Sequence, residues 1–270
     1  MNARSALFDL YGDHLLSRGG VAPISSLVQL LSALDVAPPA VRTAVSRMVS
    51  QGWLEPAKVG GASAYRLTPR AERRLREAAA RIYRTDSAAW DGNWHLISLG
   101  RIPDRAARDR LRNGLTYLGY APLRDDTWIS PHESAEAESL IDAEQASARR
   151  FTARYDGVDA ALTAEAWDLS ALGAEYARWL SEARDVVATL DAVPTSANGA
   201  APAELDRRAF AARSTLVHEW RKFLFRDPGL PRDLLPDEWP GDAAAAFFDA
   251  ESRRLLPAAG RFVDGCLVAQ

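Results

Sequence analysis

PAVRTAVSRMVSQG, residues 39–52, carries two distinct faces. Val41, Ala44, Val45, Met48 and Val49 recur at i, i+3, i+4, i+7 and i+8, the spacing of one apolar helix face. The opposite face holds Arg42, Thr43, Ser46, Arg47 and Ser50, and no acid interrupts it. A guanidinium can bond guanine or phosphate through two parallel donors, and a short hydroxyl can reach either a base edge or a phosphate oxygen. The face therefore has the chemistry of a DNA groove reader. The plain alternative is a solvated helix surface, and the helix alone does not choose between the two.

The flanks sharpen the reading. Residues 4–16 are predicted as a helix with Leu7, Leu10, Tyr11 and His14 inward, broken by Arg18-Gly19-Gly20. Residues 24–35 are predicted as a second helix, with Ile24, Leu27, Leu30, Leu31 and Leu34 inward, stopped by Pro38 and Pro39. Either proline suits the first turn of the third helix, and Gly52 suits the position just past its end. Trp53–Lys58 and Ser63–Leu67 read as two strands around Val59-Gly60-Gly61-Ala62, and Thr68-Pro69 reads as the start of a helix to about Arg84. Helix, helix, helix, hairpin, helix is the order of a winged helix-turn-helix. Lys58 and Ser63, at the tip of the hairpin, are then candidate phosphate or minor-groove contacts.

Charge partition agrees. The net charge of −3 divides into +6 over residues 1–84 and −9 over the rest. A basic first third on an acidic body predicts that only the first part meets a polyanion. The single cysteine, Cys266, excludes an intrachain disulfide and any multi-cysteine metal site, and reads as an apolar packing residue. The start of the chain lacks the pattern of a signal peptide, and no apolar run approaches ~18 residues, so a cytoplasmic protein with no membrane partner is expected.

From Trp90 onward a second organisation is predicted. Trp94–Leu99 is strand-like, and 104–118 is a helix with Ala107, Leu111, Leu115 and Leu118 inward. Strands at 121–124 and 127–130 turn across Asp125-Asp126, a polar helix lies near 133–144, and a last strand falls within 148–155. This β-α-β-β-α-β order is the split βαβ, or ferredoxin-like, arrangement. Helices follow from Ala166, with a Pro/Ala/Ser/Gly linker at 191–203, a proline-punctuated crossing at 225–241 and a last helical region at 242–256. The fold class expected is α+β in three parts: 1–86 winged helix-turn-helix, 90–163 ferredoxin-like, and 164–270 helical.

Catalytic readings find little support. His218-Glu219 lacks the second histidine of a zinc-protease helix, and His14, His95, His132 and His218 have no metal spacing. No nucleophile elbow, phosphate loop or dinucleotide glycine pattern occurs. The central part resembles the small CRISPR-associated ferredoxin-like nucleases, which place an acid at the end of the first strand. Here that strand ends Ser98-Leu99-Gly100-Arg101, with Asp91 before it and Asp104 after it. No catalytic residue, metal or cofactor is expected; a metal-dependent nuclease is the rival class.

LFDLYGDHLLSRGG (7–20), VRTAVSRMVSQGWL (41–54) followed by YRLTPR (65–70), and LVHEWRKFLFRDPGLPRDLLPDEWPGDAA (216–244) together resemble the PaaX-type transcriptional regulators, the phenylacetic-acid-degradation repressor family. The order and spacing of these segments match along nearly the whole chain. The resemblance implies a homodimer on double-stranded operator DNA, with Arg42, Thr43, Ser46 and Arg47 in the major groove. It also implies release by an aryl-acyl-coenzyme A thioester, typically phenylacetyl-coenzyme A, or regulation of another pathway with a different effector or none. An anionic, partly apolar effector calls for basic side chains among aromatics. His218, Arg221, Lys222 and Arg226, beside Trp220, Phe223 and Phe225, offer both. The same residues can instead fix the helix against the crossing segment or form a dimer contact.

Overall fold

The computed structural model describes residues 1–82, 89–102, 104–124, 126–192 and 201–268, with the backbone only in 77–82. Asp125 of the expected turn, 193–200 of the expected linker and the helix end near Arg84 lie outside the described residues. The chain packs as two compact units. One comprises Met1–Arg84, Arg178–Leu224 and Ala243–Gln270; the other comprises Thr85–Ala177 and Phe225–Asp242. The class is α+β.

In the first unit, α1 (Ala3–Leu10) continues through a π-turn (Tyr11–Leu15) and a 3-10 turn (Leu16–Arg18) to β1 (Val21–Pro23). Helices α2 (Ile24–Ser32) and α3 (Pro38–Ser50), strands β2 (Leu54–Val59) and β3 (Ala62–Leu67), and α4 (Pro69–Ile82) follow. The α2–α3 turn closes with Val36 N donating to Leu31 O at 3.1 Å, which puts Asp35 at φ +57°; a short polar side chain tolerates that conformation better than most. Both prolines open α3, where their missing N–H groups cost nothing. Its end is a Schellman motif: Trp53 N donates to Met48 O at 2.9 Å and Gly52 N to Val49 O at 3.0 Å, with Gly52 at φ +70°. Thr68 Oγ1 donates to Gly52 O and accepts from Ala71 N, tying the start of α4 to the end of α3.

The sheet order is β1-β3-β2, all antiparallel. Strand β1 has three residues and no alternation to reveal it; it forms because the free edge of β3 pairs with Val21–Pro23. The core beneath holds Leu7, Tyr11, Leu27, Leu31, Val41, Val45, Met48, Leu54 and Leu67. Phe210, Ala259, Val263 and Cys266 belong to that same core. They come from α9 (Pro202–Trp220) and α10 (Pro240–Val268), so helices distant in sequence complete the packing of the first 84 residues. Each fully buried Leu or Phe contributes about 1.5–3 kcal/mol. The expected helical end at 256 is not observed: α10 runs on through Pro257. Burial of Ala259, Val263 and Cys266 beyond the proline offsets the one backbone bond it removes. Burial also pushes the Cys266 thiol up to about 11.

In the second unit, β4 (Trp94–Leu99), α5 (Arg105–Tyr117), β5 (Ala121–Pro122), β6 (Thr127–Ser130), α6 (Ala135–Ala143) and β7 (Ala148–Ala153) form an antiparallel sheet ordered β5-β6-β4-β7. This is the split βαβ topology. Period-two alternation sends Ile97 and Leu99 toward Leu111, Leu115, Ala137 and Ile141 on the two helices. Trp94 and Ile129 face the other way, onto Leu234 of the crossing segment and Trp167. A further helix, α7 (Asp159–Ala166), lies where the sequence signalled none, and α8 (Leu169–Asp191) passes from this unit into the other. The crossing segment is held by Asp227, which accepts from Tyr176 Oη and, at 2.7 Å, from Gly229 N.

Candidate nucleic-acid interface

On α3, Val41, Ala44, Val45 and Met48 are buried, while Arg42, Thr43, Ser46, Arg47 and Ser50 are exposed. The amphipathic period thus separates into a packed face and a polar one. Thr43 Oγ1 donates to Pro39 O at 2.9 Å and Ser50 Oγ to Arg47 O at 2.9 Å, so both hydroxyls rest on their own helix. Arg42 and Arg47 have no acidic partner among the described residues, and their donors face solvent. Buried contacts of α3 with α1 and α2 hold the helix rigid beneath that face.

The hairpin places Lys58 directly opposite Ser63, both exposed. Gly60 and Gly61 have φ of +56° and +89° in a two-residue loop between Val59 and Ala62, the geometry of a type I′ turn. A side chain at either glycine would be strained, so the tip stays narrow. The structure brings Arg42, Thr43, Ser46 and Arg47 together on one helix face, and Lys58 with Ser63 on the adjoining hairpin. Other arginines of this segment share their character: Arg4, Arg66, Arg70, Arg73 and Arg74 are exposed with no acidic partner among the described residues. Glu72 pairs with Arg76 instead. A count of exposed i, i+3 and i+4 arginines along α4 could have flagged Arg70, Arg73 and Arg74.

The four residues expected around an effector are placed differently. In the first unit His218 Nδ1 lies 2.7 Å from Asp9 Oδ2, and Arg221 Nε lies 2.8 Å from Asp9 Oδ1. Asp9 is buried on α1, so these two side chains pin the end of α9 to α1. Lys222 pairs with Glu219 at 2.5 Å within its own segment. Arg226, in the second unit, pairs with Glu175 at 2.7 Å. His218 and Arg221 are brought together on one carboxylate; Lys222 and Arg226 each hold another.

A second buried polar group sits beside Asp9. Arg213 is 3% exposed and forks onto Asp13, with bonds of 2.8 and 2.6 Å, and it also donates to the Ser252 carbonyl. Next to it His14 is 1% exposed, its ring tilted at 44° to that of Phe210 with centroids 5.4 Å apart. Asp13 Oδ2 stands 3.1 Å from His14 Nε2, yet neither ring nitrogen finds a hydrogen-bond partner among the described residues. Burial is the main cause that pushes the imidazole down to about 4; the Asp13 charge opposes this and the Arg213 charge adds to it. Asp13 and His14 both lie in the π-turn Tyr11–Leu15.

In the second unit, Asp104 caps α5 by accepting from Ala106 N and Ala107 N, both at 3.1 Å, and Asp91 accepts from Asn93. Both acids that flank the first strand of this sheet therefore have local structural partners. Among the described residues no group of three or more His, Cys, Asp or Glu is arranged to hold a metal ion, and no helix is long and apolar enough to cross a membrane. A cleft of about 230 Å³ lies among His95, Tyr120, Glu133, Glu138 and Arg150. It is smaller than the pockets that enclose ligands, and its carboxylates disfavour an anion.

These features define a class: a modular α+β chain in which an arginine-rich helix-and-hairpin unit is joined to a ferredoxin-like unit. Three family profiles match it, PaaX-like protein over residues 2–71, PaaX protein central Cas2-like domain over 87–164, and PaaX-like protein C-terminal domain over 167–265. The transcriptional repressor PaaX of Escherichia coli (strain K12) is 31% identical over 274 residues, spanning 97% of this chain and 83% of the relative. The chain belongs to the PaaX family. An uncharacterized protein from Mycobacterium tuberculosis, 24% identical, superposes with a TM-score of 0.63 over 98% of each chain and shows the same fold.

Proposed function

We propose that this chain is a DNA-binding transcriptional repressor of an aromatic-acid, phenylacetate-type catabolic operon, acting as a homodimer and released by an aryl-acyl-coenzyme A. The observation that carries the reading is the α3 face, where Arg42 and Arg47 stand exposed without acidic partners in a chain of the PaaX family. In the winged helix-turn-helix reading, α3 enters the major groove and the Gly60-Gly61 hairpin reaches the adjoining backbone. Arg42, Thr43, Ser46 and Arg47 then meet base edges or phosphates, and Lys58 and Ser63 meet phosphates. A dimer reads two half-sites about one helical turn or a multiple apart.

Release needs only that the effector bind better to a DNA-incompetent arrangement. Of the four candidate effector residues, Lys222 and Arg226 are exposed on surface ion pairs that a phosphate can replace. His218 and Arg221 hold the buried Asp9, and their first duty is to the packing of α9 on α1. The test is a gel shift with duplexes from the DNA upstream of this gene and its neighbours. A specific complex dissolved by phenylacetyl-coenzyme A, and not by free coenzyme A, is the expected result. A complex insensitive to every acyl-coenzyme A removes the effector while keeping the regulator. A magnesium-dependent cut in DNA or RNA would establish the nuclease reading instead.

A further inference from the structure

Four side chains form an alternating ladder on the surface of the first unit. The Arg4 guanidinium lies over the Phe8 ring, 5.5 Å from its centroid. Phe8 meets Trp53 edge-on, with centroids 4.6 Å apart and planes at 85°. The Arg74 guanidinium lies over Trp53 at 5.9 Å. The ladder ties α1, the residue that closes the end of α3, and α4 to one another. Arg4 and Arg74 are exposed, Phe8 and Trp53 half-buried. Neither guanidinium has an acidic partner among the described residues, and Arg70, one turn before Arg74 on the same helix, has none either.

Two observations separate this group from ordinary surface arginines. Arg70 and Arg74 are like charges at i and i+4, a spacing that costs a helix a few tenths of a kcal/mol, whereas the neighbouring Arg76 is neutralised by Glu72. A guanidinium drawn over an aromatic ring by the cation–π attraction is restrained there without using its N–H donors in an ion pair. Held in that way, the planar fork is prepared for two oxygens of a phosphate. The ladder is rigid with respect to the α3 face, because Trp53 N is bonded to Met48 O at 2.9 Å in the cap of that helix.

We propose that Arg4 and Arg74, held on the Phe8–Trp53 pair, bind backbone phosphates of the duplex that the α3 face reads. The proposal rests on the DNA-binding reading above and adds to it a sequence-independent anchor made by α1 and α4. The competing role is purely structural, with the cations only stabilising the aromatic pair.

Counterion release distinguishes the two, since each phosphate contact adds about 0.9 to the slope of log affinity against log salt. Fluorescence anisotropy over a potassium chloride series would be measured on two duplexes: one selected by the wild-type protein from a random pool, and one of shuffled sequence and equal length. Arg4→Ala with Arg74→Ala is expected to lose about tenfold or more in affinity on both duplexes and about 1.8 in slope. Arg4→Lys with Arg74→Lys should recover most of the slope. Arg4→Gln with Arg74→Gln, which keeps most of each stem, should show the same slope loss if the alanine pair fails to fold. A wild-type slope in either folded neutral variant, or weaker binding with the slope unchanged, overturns the proposal. A wild-type protein that binds no duplex overturns the DNA-binding reading itself, a result separate from both.

Discussion

In the first unit Arg213 is buried and forked onto the buried Asp13, while Arg47 stands exposed with no acidic partner among the described residues. The same side chain serves opposite ends. Arg213 spends its donors on holding α9 to the π-turn and to α10, and the His218–Asp9–Arg221 group holds the end of α9 against α1. Arg47, with Arg42, Arg4 and Arg74, leaves its donors to solvent. Exposed pairs such as Arg207–Glu204 and Arg261–Asp206 contribute little to stability, so the contrast that matters is between buried arginines committed to the fold and the exposed ones proposed for recognition.

Substitutions can break that contrast at either end. Arg213→Ala leaves Asp13 buried without its cation and should cost about 3–5 kcal/mol, read as a lowered urea midpoint. An unchanged midpoint would show that Asp13 does not depend on Arg213. The imidazole beside this pair gives a pH signature. His14 titrates near 4 in the folded chain against an ordinary 6.5, so the unfolded chain takes up the proton first. This contribution is fully present above about pH 6.5, is lost as the pH falls, and is exhausted near pH 4; its span is up to about 3 kcal/mol. The stability difference between wild type and His14→Leu should follow that window, and parallel pH profiles would sink the prediction.

At the recognition end, Arg47→Ala should weaken operator binding by about 1–3 kcal/mol while moving the unfolding midpoint by less than about 0.5 kcal/mol. A gel-shift titration with a parallel melt checks both, and unchanged affinity removes Arg47 from the interface. Gly60→Ala, forced to a positive φ in the hairpin turn, should cost roughly 1 kcal/mol of stability by thermal melting. Binding in that variant should fall only as far as the hairpin tip is displaced.

Much of this was legible in residues close together in the chain. The two faces of Pro39–Gly52, the glycines at 60 and 61 and the alternation in Trp94–Leu99 each follow from a local period or a local backbone need. Other features had no local signal. Strand β1 is three residues long, Pro257 reads as a stop, and α7 is too weakly amphipathic to mark its own face. The residues implied for an effector were legible as a basic and aromatic cluster. Their carboxylate partners, Asp9 and Glu175, lie 209 and 51 positions away from His218 and Arg226 and could not be paired by spacing.

By itself, the sequence determined most of the elements, though not β1, α7 or the end of α10, together with the α+β class, the acid-free face of α3 and the charge split, because helical and strand periods and turn chemistry act over a few residues. Tertiary structure alone decided which arginines are free. It also decided that α9 and α10 complete the core under α1 to α3, and that Trp53 carries Arg74 while Phe8 carries Arg4. Burial and pairing are properties of what distant segments bring together, and no local pattern specifies the partner.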